Sequence, residues 1–190
     1  MGHIKDRYFI RGEVPMTKDE VRAISIAKLH LRENSILVDV GAGTGSVGIE
    51  GSTYLTKGYV YGIEKNPKGC ELIKENLKKF RINNYKLIEG IAPKDLDEIK
   101  NIGFDRMFIG GSSGSMEEII DFFIEYSSDD SIFVINLIAL ETLTEVIDIL
   151  KRKNLKDIEI VNISVSRSKK LGNYTMMMGE NPIYIINGRK

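Results

Sequence analysis

The chain has 190 residues, with 27 Lys and Arg against 27 Asp and Glu, so its formal net charge is zero. Hydrophobic residues make up 42% and charged residues 28%, a globular composition that excludes global disorder. The charge balance argues against nucleic-acid binding driven by a whole-surface field. One cysteine, Cys70, and two histidines, His3 and His30, exclude a disulfide framework and leave no zinc or thiolate site. The length suits a single domain over residues 1–190, with 1–16 as an N-terminal extension. The longest apolar run, 132–140, is broken by Asn136 and falls short of the roughly 20 residues of a membrane span. The N-terminus is polar and charged and shows no signal peptide. A cytoplasmic protein without a membrane partner is expected, and Met1-Gly2-His3 is assigned no function.

In chain order, Thr17-Lys18-Asp19-Glu20 reads as a capping box, with Thr17 capping and Glu20 reaching back. It opens a helix whose inward positions are read as Val21, Ile24, Ala27, the Lys28 stem and Leu31. Apolar, β-branched runs at 35–40, 59–63, 85–88, 104–109 and 132–135 predict five strands. Helical stretches near 45–56, 67–80, 93–101, 115–126 and 141–153 separate them. That alternation means βαβ units and a mostly parallel sheet. Two further strand-like stretches, 158–165 and 176–186, have only a polar loop between them and predict an antiparallel pair. Glu180-Asn181-Pro182 marks a bulge or break in the second arm. Met176, Met177 and Met178 are expected mostly in the core, as is Cys70. His30 is placed at a helix end.

The most informative stretch is Asp39-Val40-Gly41-Ala42-Gly43-Thr44-Gly45, at the carboxyl end of the first strand. Glycines there let the backbone turn tightly and approach a ligand, at the edge where open α/β sheets bind ligands. Glu64 ends the second strand, where an acid can accept from both ribose hydroxyls of an adenosine. Two cofactors compete. Gly43-Thr44-Gly45-Ser46-Val47-Gly48 matches the dinucleotide string G-x-G-x-x-G, but begins two residues inside the turn. An acid closing the strand followed by Gly-x-Gly-x-Gly is the S-adenosylmethionine pattern, and Asp39 to Gly45 fits it in full. A tight turn with no ligand is the plain alternative.

After the third strand, Ile91 stands where many methyltransferases carry an adenine-binding acid, so apolar packing or a backbone contact has to replace it. After the fourth, Gly110-Gly111-Ser112-Ser113-Gly114-Ser115 lacks the Asn/Asp-Pro-Pro-aromatic run of enzymes that methylate amide or base nitrogens. It reads as a flat, backbone-rich surface beside a large ligand, or as a loop capped by Ser115.

Taken together, Gly12-Glu13-Val14-Pro15-Met16-Thr17 leading into Glu20-Val21-Arg22, the Val38 to Gly45 motif, Gly110-Gly111-Ser112, Met176-Met177 and Asn181-Pro182 carry a resemblance over essentially the whole chain. It resembles the cobalt-precorrin-6B C(15)-methyltransferase (decarboxylating) family of cobalamin biosynthesis. The resemblance implies an α/β, class I S-adenosylmethionine-dependent methyltransferase fold, Rossmann-like. Its sheet would be mostly parallel and seven-stranded, with an antiparallel C-terminal hairpin. It implies methylation of carbon 15 of a corrin precursor, with decarboxylation of the ring-C acetate, giving cobalt-precorrin-7. By position, Thr17, Gly41, Ala42, Gly43, Thr44, Gly45, Glu64, Ile91 and Ala92 are the cofactor-binding residues. Gly111 and Ser112 are assigned to the tetrapyrrole substrate. Arg167 and Lys169, with Lys170, are read as a cationic patch that leans over the cleft and grips substrate carboxylates. No catalytic residue is assigned, although Tyr174, Glu13 and Ser112 are candidates. Homo-oligomers, tetramers among them, are implied. A methyltransferase acting on protein or RNA, and a non-catalytic nucleotide-binding domain, are the alternatives.

Overall fold

A computed structural model describes residues 3–190; Met1 and Gly2, part of the segment assigned no function, lie outside the described residues. The strands are β1 (Ile36–Val40), β2 (Tyr59–Glu64), β3 (Tyr85–Glu89), β4 (Arg106–Ile109), β5 (Ile132–Leu137), β6 (Lys156–Ile163), β7 (Ser166–Leu171), β8 (Tyr174–Gly179) and β9 (Ile183–Arg189). The helices are α1 (Asp19–Leu29), α2 (Ser46–Ser52), α3 (Pro67–Phe80), α4 (Met116–Tyr126) and α5 (Leu140–Arg152). Seven strands form one sheet in the order β3-β2-β1-β4-β5-β9-β6. The first five are mutually parallel, and β9 runs antiparallel to both its neighbours. The order reverses between β1 and β4, so a crevice opens there at the carboxyl ends of the strands.

The parallel strands are covered on both faces, which is why they read as continuous apolar runs. On one face, Phe104, Phe123, Phe133, Val146 and Ile149 pack under α4 and α5. On the other, Val21, Leu29, Val60, Ile49, Ile73 and Ile185 pack under α1, α2 and α3. Cys70 lies at the buried base of α3 and is 2% exposed, as expected of a small core residue.

Several local expectations differ. Thr17 does not cap α1: Lys18 holds the N-cap position without a side-chain bond, because Glu20 is drawn to Arg167 and the Thr17 carbonyl to Arg22. The buried face of α1 carries Val21, Arg22, Ser25, Ile26 and Leu29, while Ala27 is exposed. Residues 93–101 form only a 3-10 turn at Asp97–Ile99. The expected antiparallel pair is β6 with β9, but the polar loop between them is itself a strand pair, β7 with β8. Met176, Met177 and Met178 lie on it and are exposed, not core. Glu180-Asn181-Pro182 separates β8 from β9.

Arg22 explains how α1 can bury a polar face. Its side chain has no exposure. Nε donates to Glu50 Oε2 at 2.7 Å, Nη1 to Asp6 Oδ1 at 3.0 Å and to the Thr17 carbonyl at 2.6 Å, and Nη2 to the Ile4 carbonyl. The guanidinium also lies 4.9 Å from the Phe9 ring centre. Glu50 is itself buried and accepts from the Ile4 amide at 3.2 Å. His3, assigned no function from sequence, places Nδ1 2.9 Å from Glu50 Oε1. One guanidinium thus pins residues 3–17 to α1 and α2. Removing one partner of such a buried pair strands the other charge, at a cost of about 3–5 kcal/mol. Arg22→Ala is expected to lose stability on that scale in urea denaturation. A loss under about 1 kcal/mol, the value of an exposed pair, would show that the N-terminal segment is not held this way.

Candidate active site

A cavity of about 910 Å³ opens at the switch between β1 and β4. Its size is in the upper range for small-molecule sites. Three segments meet to form it: the glycine loop after β1, the Gly110–Ser115 loop after β4, and the segment Val14–Lys18 leading into α1. The glycine loop is fixed by the strand beside it, because the Gly41 and Ala42 amides both donate to the Ile63 carbonyl at 3.0 Å. Gly41 has a φ of +68°, and a Cβ there would come within 2.5 Å of the Gly111 carbonyl oxygen. Only glycine allows these two loops to touch. At Gly43 a Cβ would meet the Pro15 carbonyl at 3.0 Å, so the N-terminal segment crosses directly over the loop.

Glu64 is 8% exposed. Its Oε2 accepts the Gly43 amide at 2.7 Å and its Oε1 the Asn66 amide at 2.8 Å. The two bonds fix the carboxylate while leaving each oxygen a free lone pair toward the cavity. Thr17, Gly41, Ala42, Gly43, Glu64, Ile91 and Ala92 all line the cavity, as do Gly111 and Ser112. Thr44 and Gly45 do not. Thr44 is buried, with its carbonyl held by Asn76 Nδ2 at 3.2 Å, and Gly45 is the left-handed residue that starts α2. Their part is to shape the loop.

The cationic patch lies elsewhere than expected. Neither Arg167 nor Lys169 lines the cavity. Arg167 is consumed by the chain's own acids: Nε donates to Glu180 at 2.7 Å, and Nη1 and Nη2 to Glu20 and Asp19. Lys169 and Lys170 stand exposed on the hairpin. Of the candidate proton-transfer residues only Ser112 lines the cavity. Glu13 pairs with Lys68 at 2.9 Å, and Tyr174 is 76% exposed on β8. Sequence reasoning passed over Lys18, Lys65, Asn136, Glu180 and Asn181, which also line it. Asn136 carried a signal, since it interrupts an apolar strand. Its Nδ2 lies 3.0 Å from Ser25 Oγ, which anchors it to α1.

The family model for the precorrin methyltransferase domain matches residues 8–190. The chain belongs to that family. It is 39% identical, over 98% of its length and 95% of the relative's, to a probable cobalt-precorrin-6B C(15)-methyltransferase (decarboxylating) of Saccharolobus solfataricus. It superposes with a TM-score of 0.91 on a precorrin-6y C5,15-methyltransferase of Geobacter metallireducens, at 37% identity, covering 98% of this chain and 97% of that one. An S-adenosylmethionine-dependent O-methyltransferase of Thermotoga maritima, at 17% identity with a TM-score of 0.77 over 92% of this chain and 66% of that one, shares the fold. The family's architecture is thus the class I methyltransferase fold expected from the sequence.

Asp39, just before the glycine loop, points away from the cavity and is 1% exposed. Its Oδ2 accepts the Gly48 amide in the first turn of α2 at 2.9 Å, while Oδ1 has no partner among the described residues. Burial pushes its carboxyl up to about 7, against the bond from Gly48 and with the help of the Glu64 charge. A carboxyl raised in the folded state stabilises the fold fully only below its unfolded value, near 4, and loses that contribution as pH rises through 7. Asp39→Asn keeps an acceptor for Gly48 and cannot ionise. Relative to the parent it is expected to gain thermal stability as pH rises from about 4 to about 7, and to hold that gain above it. Parallel melting curves with no widening gap would mean that Asp39 does not titrate there.

Proposed function

We propose that this chain binds S-adenosylmethionine in the cavity and methylates cobalt-precorrin-6B at carbon 15, with loss of the ring-C acetate carboxyl as carbon dioxide. The product is cobalt-precorrin-7. The observation that carries the reading is Glu64 locked to the glycine loop at the switch point, in a chain that the precorrin methyltransferase model matches from residue 8 to 190. When bound, S-adenosylmethionine supplies an electrophilic methyl group on a sulfonium.

The residues present fit such a ligand. Glu64 offers lone pairs to two ribose hydroxyls, and the bare backbone at Gly41 and Gly43 permits close approach. Ile91, 47% exposed, and Ala92 present apolar surface to a purine where an acid is absent. Gly111 and Ser112 give a backbone-rich surface to the macrocycle. Val21, Phe108, Met116, Leu137 and Ile138 add apolar wall that excludes water. Methyl transfer to carbon with a neutral leaving group depends on alignment more than on proton transfer. The conjugated macrocycle accepts the electrons released by decarboxylation. The chain's own task is therefore binding and orientation, and Ser112 is the remaining candidate for a proton near the reacting atoms.

Incubating the protein with cobalt-precorrin-6B and S-adenosylmethionine should give a product carrying one more methyl group and one carboxyl fewer by mass analysis. Unchanged substrate would overturn the reading. Glu64→Ala should weaken S-adenosylmethionine binding by about 1.5–3 kcal/mol, the scale of hydrogen bonds to a charged group. An unaltered dissociation constant in calorimetry would remove Glu64 from the ribose.

We also propose that the chain self-associates through the β7–β8 hairpin. A two-stranded ribbon is marginal by itself in water. This one exposes Leu171, Tyr174, Met176, Met177 and Met178. Such a patch marks an interaction surface. Met177→Glu, at a site 64% exposed, should shift the protein to a smaller species in light scattering without lowering its melting temperature as a monomer. A parent protein already monomeric would overturn this.

A further inference from the structure

Four charged side chains line the cavity: Glu64 and Lys65 at the end of β2, Lys18 at the start of α1, and Glu180 just before β9. Glu64 is committed to the glycine loop. Glu180 gives its Oε1 to Arg167 Nε at 2.7 Å. Arg167 spends the rest of its fork on Glu20, at 2.9 Å from Nη1, and on Asp19, at 3.2 Å from Nη2. Three carboxylates are thereby held by one guanidinium: two of them, Asp19 and Glu20, follow Lys18 in sequence, and the third, Glu180, lines the same cavity. The Lys18 ammonium makes no ion pair or side-chain hydrogen bond among the described residues. Burial lifts the Asp19 carboxyl, yet the hydrogen bonds around it and the Arg167 charge outweigh this and keep it at about 2.

We propose that Lys18 takes a carboxylate of the anionic substrate at this cavity, and that Arg167 is a positioning residue behind it. Arg167 occupies the three acids that otherwise capture the Lys18 ammonium or repel the substrate. The inference rests on the proposed tetrapyrrole reading, since acetate and propionate groups are what make the ligand anionic. It reverses the assignment that the sequence suggests for Arg167. A neutral chain has no strong net field to collect an anion, so an unpaired cation at the cavity is effective; Lys65 is likewise unpaired among the described residues. A Lys ammonium reaches a carboxylate as a flexible point charge, which suits a ligand with several equivalent groups. Lys65, beside the ribose-facing Glu64, is the other cation on the lining and is assigned to the cofactor end.

The test is binding of cobalt-precorrin-6B to protein saturated with S-adenosylhomocysteine, which forms a dead-end complex and needs no turnover. Lys18→Met should weaken binding about tenfold at low salt, the scale of one charge-assisted hydrogen bond. The gap should narrow as salt rises. Lys18→Arg should keep most of the affinity, and S-adenosylhomocysteine affinity should stay constant in every variant. Arg167→Ala should also weaken binding, and adding Glu20→Gln and Glu180→Gln to it should restore most of the loss. A residue that grips the substrate directly is not rescued by removing its neighbours' charges. Equal affinity in Lys18→Met, or an Arg167→Ala loss that neutralising the acids leaves in full, overturns the inference while leaving the methyltransferase reading standing. A parent protein that binds S-adenosylhomocysteine but no corrin precursor overturns both.

Discussion

The Arg22 guanidinium carries the wall of the cavity. A cation without access to solvent is stable only when its charge and its donors are all met. Here Glu50 meets the charge, and Asp6 and the Ile4 and Thr17 carbonyls take the other donors. Glu50 belongs to α2, and the other three partners belong to the N-terminal segment. Satisfying Arg22 therefore draws the N-terminal segment across the sheet and brings Val14–Lys18 over the glycine loop, where the Pro15 carbonyl closes on Gly43. The cavity needs this wall, because the loops after β1 and β4 supply only its floor. A Leu in place of Arg22 would pack against the same sheet but give residues 3–17 nothing to fold toward.

A second network continues from the first. Asp19 lies 4.0 Å from the ring of His3, which bonds to Glu50, and 3.2 Å from Arg167 at the base of the hairpin. The N-terminal segment, α1 and the hairpin are linked through α1's first turn by charge, while the sheet beneath is held by apolar packing. The division is physical. Apolar contact is non-directional and fills the two faces of the sheet, whereas the cavity rim must set particular backbone segments at particular angles. Hydrogen-bonded charges provide that direction.

The same division explains what the sequence made legible. β1 to β5 were readable because strands buried on both faces become β-branched runs, and the glycine loop because positive φ at Gly41, Gly43 and Gly45 narrows the choice of residue. α3, α4 and α5 were readable from their one-sided apolar patterns. The failures concern residues whose surroundings invert their usual character. Arg22 and Ser25 look like solvent positions and are buried. Met176 to Met178 look like core and stand on an exposed ribbon. Arg167 looks like a free cation because its three acids, at 19, 20 and 180, are far from it in sequence. Residues 166–175 hold only Leu171 and Tyr174 as large apolar side chains, too few to show the alternation of a strand, so nothing local distinguishes a strand pair from a loop.

The site's composition also bears on which chemistry it suits. Its lining holds no histidine or cysteine, and its two carboxylates are already engaged, Glu64 by the Gly43 and Asn66 amides and Glu180 by Arg167. Such a lining is poorly suited to hydrolysis, which needs a base to activate water. It suits a reaction whose leaving group is a neutral thioether and whose electron sink lies in the substrate. There the rate depends on holding two large partners in line and keeping water out. Apolar walls and close-approach glycines do both. The carboxyl to be lost gains from the same surroundings, since a carboxylate moved from water to an apolar wall is destabilised relative to the carbon dioxide it releases. The cation that collects the substrate must then sit at the rim, away from the carboxyl that leaves, because a salt bridge to that group would stabilise the reactant. Lys18, at the start of α1 and next to the segment that crosses the glycine loop, is a rim position in this sense.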